Sequence, residues 1–186
     1  MHVTIKVRVG QRSLRSPAAM AIFLRALEGS RTEAFRVTHF SVQIDHIHML
    51  VETDHRDAFS SGLRSLNCRL ARNLNKLWQR RGRLFAGRHH EQVLKTPRQV
   101  RYAIRYVLQN GRKHRTVSPT ELDPCSSASQ FDGWRGYPAE MLHTLRRKMA
   151  DLRLPRITDL FAPRTWLLAI GWREWGLLPA TESPAT

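Results

Sequence analysis

The chain has 186 residues, 41% of them apolar and 25% charged, which suits one compact domain with an extension and is too short for two ordinary domains. That balance excludes a disordered chain, and no stretch reaches the ~18 uninterrupted apolar residues of a membrane span. Lys and Arg number 31 against 15 Asp and Glu, a formal charge of +16, and a block this one-sided repels itself unless a polyanion meets it, nucleic acid before an anionic membrane surface.

Val3, Ile5, Val7 and Val9 alternate with Thr4, Lys6 and Arg8, which predicts a half-buried first strand. Ser16-Pro17 then supplies a cap and a first-turn proline for a helix over Ala18–Leu27. Phe35 to Ile44 alternates again, with a phase slip near His39 that spacing leaves open between a bulge and a tight hairpin. Asp45 interrupts, and His46–Glu52 is a third extended run. Leu63, Leu66, Leu70, Leu74 and Leu77 recur at steps of three and four, one face of a long helix ending at Gly82. Leu84–Leu94 reads as a strand broken by Gly87. Thr96-Pro97 opens another helix with Val100, Ala103, Ile104, Val107 and Leu108 as its stripe, and Gly111 stops it. The order β-α-β-β-α-β-α predicts an α+β fold, a ferredoxin-like (split βαβ) antiparallel sheet with helices on one face.

Beyond Arg115 the composition changes. Ser118-Pro119, Asp123-Pro124 and Ser126–Ser129 read as a surface linker, and Ala139–Leu152 as a short basic helix. The tail from Ala162 to Leu178 holds Trp166, Trp172 and Trp175. Trp166, Leu167, Leu168, Ile170 and Trp172 could not stay solvated, so the tail is expected to dock on the main domain. The expected division is therefore 1–116 for the main domain and 117–186 for linker and extension. The cysteines Cys68 and Cys125 make no disulfide framework, and Met1–Arg15 lacks the apolar centre of a secretory signal, which together predict a cytoplasmic protein.

Between Arg64 and Arg115 fifteen basic residues meet one acidic residue, Glu91, so the polyanion is expected on this segment. Its candidates are Arg64, Arg69, Arg72, Lys76, Arg80, Arg88, Lys95, Arg98, Arg101 and Arg105. Alternation puts His46 and His48 on one face of their strand, about 7 Å apart at ~3.3 Å per residue, where two imidazoles can share a divalent cation. Two exposed histidines are the plainer reading of that pair. On the last helix Tyr106 points about 130° away from the apolar stripe, with Asn110 one turn later on the same border. A phenol beside a carbonyl-oxygen ligand and a basic strip suits attack on a phosphodiester; a surface tyrosine with an incidental asparagine is the alternative.

The stretches His39–Glu52 (HFSVQIDHIHMLVE), Leu84–Leu94 (LFAGRHHEQVL) and Tyr106–Asn110 (YVLQN) resemble the single-tyrosine HUH transposases, and among them the REP-associated tyrosine transposases and their transposase-like relatives. The resemblance covers about residues 2 to 115, with the three motifs in the family's order and separations. It implies a metal-dependent single-strand DNA endonuclease and strand transferase working through a 5′-phosphotyrosine. His46, His48 and Asn110 would be the metal ligands, Tyr106 the nucleophile, and Mg2+ or Mn2+ the cofactor. Tyr102, one turn earlier, is the alternative nucleophile. Single-stranded or hairpin DNA is the implied partner, the monomer is favoured over a dimer, and the implied setting is the bacterial nucleoid. Asp45 stands where relatives often have asparagine, and Gly111 where many have proline. His89 and His90 belong to the DNA-facing strand in this reading. Two rivals remain: a domesticated DNA- or RNA-binding module that no longer cuts, and a metal-dependent hydrolase in which Tyr106 is structural.

Overall fold

The computed structural model describes all residues except Tyr137, Arg156, Thr158, Asp159 and 183–186. Four strands, β1 (His2–Lys6), β2 (Phe35–Val42), β3 (His46–Thr53) and β4 (His90–Gln92), form one sheet in the order β2-β3-β1-β4, antiparallel throughout. With α1 (Pro17–Ser30) between β1 and β2, and α2 (Arg56–Leu77) between β3 and β4, the α+β split βαβ expectation is borne out. The helices begin where their caps allow. Ser16 Oγ accepts from Ala19 N–H and Thr96 Oγ1 from Gln99 N–H, each ahead of a first-turn proline, the latter opening α3 (Pro97–Leu108).

Alternation assigns the two faces of the sheet. Val3, Ile5, Phe40, Val42, Ile47, Met49 and Val51 point to one side and join Phe23 of α1 and Leu63, Leu66, Leu70 and Leu74 of α2 in one buried core. Gly62 permits the approach of α2, since a Cβ there would lie 2.2 Å from the Phe35 ring. His2, Thr4, His46, His48 and Leu50 point to the other side. There Leu50 meets Val100, Ala103, Ile104, Val107 and Leu108 of α3 in a second core, so helices cover both faces of the sheet and not the single face expected. The slip near His39 is a bulge: the β2–β3 register shifts between Val37 and His39. The turn after β2 is also tight, with Gln43 N–H donating to His46 O at 2.8 Å.

Several boundaries differ from the sequence expectation. The first strand ends at Lys6, with Val7 bridging Phe85 alone and Val9 94% exposed. The long helix starts seven residues before Leu63 and ends at Leu77, which is exposed, while Trp78 takes the last inward place. Of Leu84–Leu94 only His90–Gln92 pairs as a strand; Arg83–His89 crosses irregularly. The third helix stops at Gln109, not Gly111, and a further turn, α4 (Asn110–Lys113), follows. Gly111 is instead demanded by space, because a Cβ would lie 2.5 Å from Asp123 Oδ2.

The surface linker is corrected most. Leu122–Ala128 is buried and lies along the free edge of β2, where Val42 N–H donates to Cys125 O (2.8 Å) and Phe40 N–H to Ser127 Oγ (3.0 Å). Arg15 holds Asp123 in two hydrogen bonds at 2.8 and 3.0 Å. A 3-10 turn (Ser127–Gln130) then leads to α5 (Ala139–Asp151), α6 (Trp166–Ala169) and a second 3-10 turn (Gly171–Trp175). The tail packs on α3 through Leu168, Trp172 and Leu178, and Trp172 is fully buried. Trp166, Ile170 and Trp175 stay more than half exposed, contrary to expectation for the first two.

Candidate metal and tyrosine site

On the second face of the sheet, β3 presents His46 and His48, β1 presents His2 and Thr4, and α3 lays Tyr106 across them. The His48 ring is 5.1 Å from Tyr106 and 4.8 Å from His46, and His2 lies 5.6 Å from Tyr106, edge to face. A third imidazole joins from just beyond α4: His114, whose ring is 4.8 Å from that of His46. Each of His46, His48 and His114 offers a nitrogen within 4.8 Å of the others, the one such trio of His, Cys or acidic residues among the described residues. His114 was missed from the sequence. Its only signal is the placement two turns beyond Tyr106, which the interruption at Gln109 obscures.

The hydrogen bonds sort the ring nitrogens. His46 Nδ1 donates to Asp45 Oδ1 at 2.7 Å, and Lys6 Nζ lies 3.2 Å from the other carboxylate oxygen. Burial works to raise the Asp45 carboxyl, but the bonds from His46 and Lys6 outweigh it and hold it below its ordinary range. His48 Nδ1 lies 2.9 Å from Thr4 Oγ1 and 3.2 Å from His2 Nε2. With both Nδ1 atoms engaged, each ring turns Nε2 outward as a lone-pair donor, the arrangement that metal-bound histidines use. His48 Nε2 is buried without a partner, an arrangement that costs about 1–3 kcal/mol unless something polar meets it. Burial, with His2, His46, His114 and Lys113 around it, pushes His48 down to about 2, so no proton competes for that nitrogen near neutrality. Burial likewise lowers His2 to about 4 and depresses His114. The donor set fits a divalent cation.

Asn110, the ligand expected beside the two histidines, is wholly buried at the start of α4, and neither side-chain atom has a hydrogen-bond partner. A buried amide left bare in this way is as costly as the orphaned imidazole. Tyr106 is half-buried, with Lys113 Nζ 5.1 Å from its ring centre. Tyr102 lies one turn back and is exposed; the Arg98 guanidinium beside it lowers its phenol.

The basic candidates divide. Arg64, Arg72 and Lys76 are exposed on the outer side of α2, so the sheet stands between them and the histidines. Arg69 packs against Gly29 of α1, and Arg80 is tied to Asn75 Oδ1 and Arg83 O. Arg88, Lys95 and Arg98 are exposed. Arg101 and Arg105 are committed to the tail: both pair with Glu182, and Arg101 Nε donates to Gly176 O at 2.8 Å. His89 meets Glu91 at 2.9 Å, which leaves it outside the histidine trio.

Neither the protein-family models nor the curated proteins contain a match to this chain. A solved structure does: that of a REP-associated tyrosine transposase bound to a REP hairpin, at 18% identity and a TM-score of 0.54, over 88% of this chain and 90% of that one. The fold is that of a tyrosine transposase. The likeness expected from the H-x-H and Y-x-x-x-N stretches thus extends to the architecture that carries them. Among the described residues no helix is long and apolar enough to cross a membrane.

Proposed function

We propose that this chain is a metal-dependent single-strand DNA nicking and joining enzyme, transposase-like, that works through a 5′-phosphotyrosine on Tyr106. The observation that carries the reading is the pair His46 and His48, each with Nδ1 engaged and Nε2 free, beside the Tyr106 ring on a tyrosine-transposase fold. His46, His48 and His114 would hold the cation, with the bare Asn110 amide as an oxygen donor. The bound cation would polarise the scissile phosphate and offset its developing charge. The phenolic oxygen of Tyr106 forms a bond to phosphorus as the P–O3′ bond breaks; the phenol gives up its proton, and the departing 3′ oxygen takes one up. Attack of a 3′ hydroxyl on the phosphotyrosine then rejoins a strand and restores the phenol. Three imidazoles with one amide suit manganese better than magnesium, which prefers an all-oxygen shell. The substrate we infer is single-stranded or hairpin DNA, since the fold neighbour is bound to a REP hairpin and Arg88, Lys95 and Arg98 are exposed.

The test is covalent trapping. End-labelled single strands and hairpins with manganese should give an adduct that survives a denaturing gel, and Tyr106→Phe should abolish it while DNA binding persists. An adduct kept by Tyr106→Phe and lost in Tyr102→Phe would move the nucleophile. No adduct with wild-type protein across metals and hairpins would favour the non-cutting binding module.

A further inference from the structure

Along the exposed side of α3 the side chains alternate cation and ring. The Arg105 guanidinium lies 4.9 Å from the centre of the Tyr102 ring, Arg98 lies 5.5 Å from the same ring, and Arg98 also lies 5.4 Å from the ring of Trp175. Tyr102 is 42% exposed and Trp175 53%. Neither ring belongs to a buried core, so packing does not explain two large aromatics held there. The ladder borders a cleft of about 810 Å3 between α3 and the β4 edge. Tyr106 and His2, which also touch the histidine site, line the same cleft, as do Gln92 and Gln99. The Gln99 carbonyl already accepts from Lys95 N–H at 2.7 Å, which turns its amide NH2 outward as a donor.

We propose that Tyr102, Arg98 and Trp175 form a stacking platform for the unpaired bases that flank the strand break. This inference rests on the reading of Tyr106 as the reacting group. The chemistry is that of a nucleotide: flat rings stack on tyrosine, tryptophan and guanidinium planes, each worth about 1–3 kcal/mol per base, and the exposed Lys95 and Arg98 cations meet the linking phosphates. A duplex hides its base faces, so the platform selects single strand. Continuity of the cleft with Tyr106 means that a base seated on Tyr102 brings its own strand to the nucleophile. Gln92 and Gln99 offer amides to a base edge and are the residues placed to set a sequence preference.

The experiment measures binding alone, so its outcome is independent of whether an adduct forms. Fluorescence anisotropy with labelled single-stranded oligonucleotides should show Tyr102→Ala weakened by about 5- to 150-fold, the range that ~1–3 kcal/mol implies. Tyr102→Phe should bind within twofold of wild type, and the salt slope should be the same in all three, since no phosphate contact is lost. Wild-type protein should lose a similar factor on one abasic position of the strand, and Tyr102→Ala should be indifferent to it. Tryptophan emission should be quenched by the strand in wild type and much less in Trp175→Phe. Equal binding by Tyr102→Ala, a flattened salt slope, a flat abasic scan, or no measurable single-strand binding by wild type would each overturn the platform.

Discussion

The two faces of the sheet obey different rules. The face under α1 and α2 is closed by Phe23, Phe40, Ile47, Met49, Leu66 and Leu70, all at or below 2% exposure, and none of these six side chains carries a hydrogen-bonding atom to satisfy. The face under α3 buries His39, His48, Gln109 and Asn110, each with at least one polar atom lacking a partner. Every such atom costs free energy that the folded chain could have avoided with leucine or valine. The first face maximises stability; the second gives some of it up, the trade expected if, as proposed, a site is built into that core.

Paired substitutions across the sheet expose the difference most sharply. Leu66→Ala should cost about 2–5 kcal/mol, as removal of a fully buried leucine does, and leave manganese affinity per folded molecule unchanged. His48→Ala should cost little stability, since it also removes an orphaned nitrogen, yet should abolish manganese binding and cleavage. Chemical denaturation and calorimetric metal titration of both proteins decide it; equal destabilisation by the two would erase the contrast.

A smaller effect concerns the support of a ligand. Asp45→Asn replaces the carboxylate that accepts from His46 Nδ1 with a weaker acceptor and should lower manganese affinity by about 10- to 100-fold with the fold intact. Unchanged affinity would assign Asp45 to the turn alone.

Another effect is graded with pH. His2 and His39 are pushed to about 4 by burial and His48 to about 2, all below the unfolded value of 6.5. The unfolded chain therefore binds more protons, and stability present above pH 6.5 falls as pH drops from there towards 4. Each proton contributes a slope of about 1.4 kcal/mol per pH unit. Melting curves that stay level between pH 7 and 5 would show that these imidazoles are not held neutral.

The contrast also explains what the sequence disclosed. The core face was legible because its spacing is regular: leucines at three and four on α2, alternation on β1 and β3, and the slip at His39 that became a bulge. On the other face His46, His48 and Tyr106 were legible as types at a spacing, and the structure brings them together. His114 was not, because helical arithmetic from Tyr106 fails once Gln109 breaks the helix. Nor was the burial of Leu122–Ala128. Serine and proline read as solvent-loving, yet here the Ser127 hydroxyl answers the backbone of Phe40, and Asp123 is neutralised by Arg15. The long strand expected over Leu84–Leu94 failed because its contact with β1 is interrupted: Ala86 N–H donates to Lys6 O at 2.9 Å, and ladder pairing resumes only at His90–Gln92.

That serine-rich segment has a consequence for how the molecule can associate. A sheet of this kind ordinarily offers two rows of unpaired amides and carbonyls at its margins, each an invitation to a neighbouring chain. Along β2 the segment occupies that row with its own Cys125 carbonyl and Ser127 hydroxyl, while β4 is only three residues long. Both margins are thereby blunted against strand addition, and copies of the protein that meet would do so through helices. The division at 116 expected from composition runs through this protection. Severed there, the first 116 residues would keep the histidines and the tyrosine but bare a hydrogen-bonding edge, and self-association would compete with the function proposed for those residues.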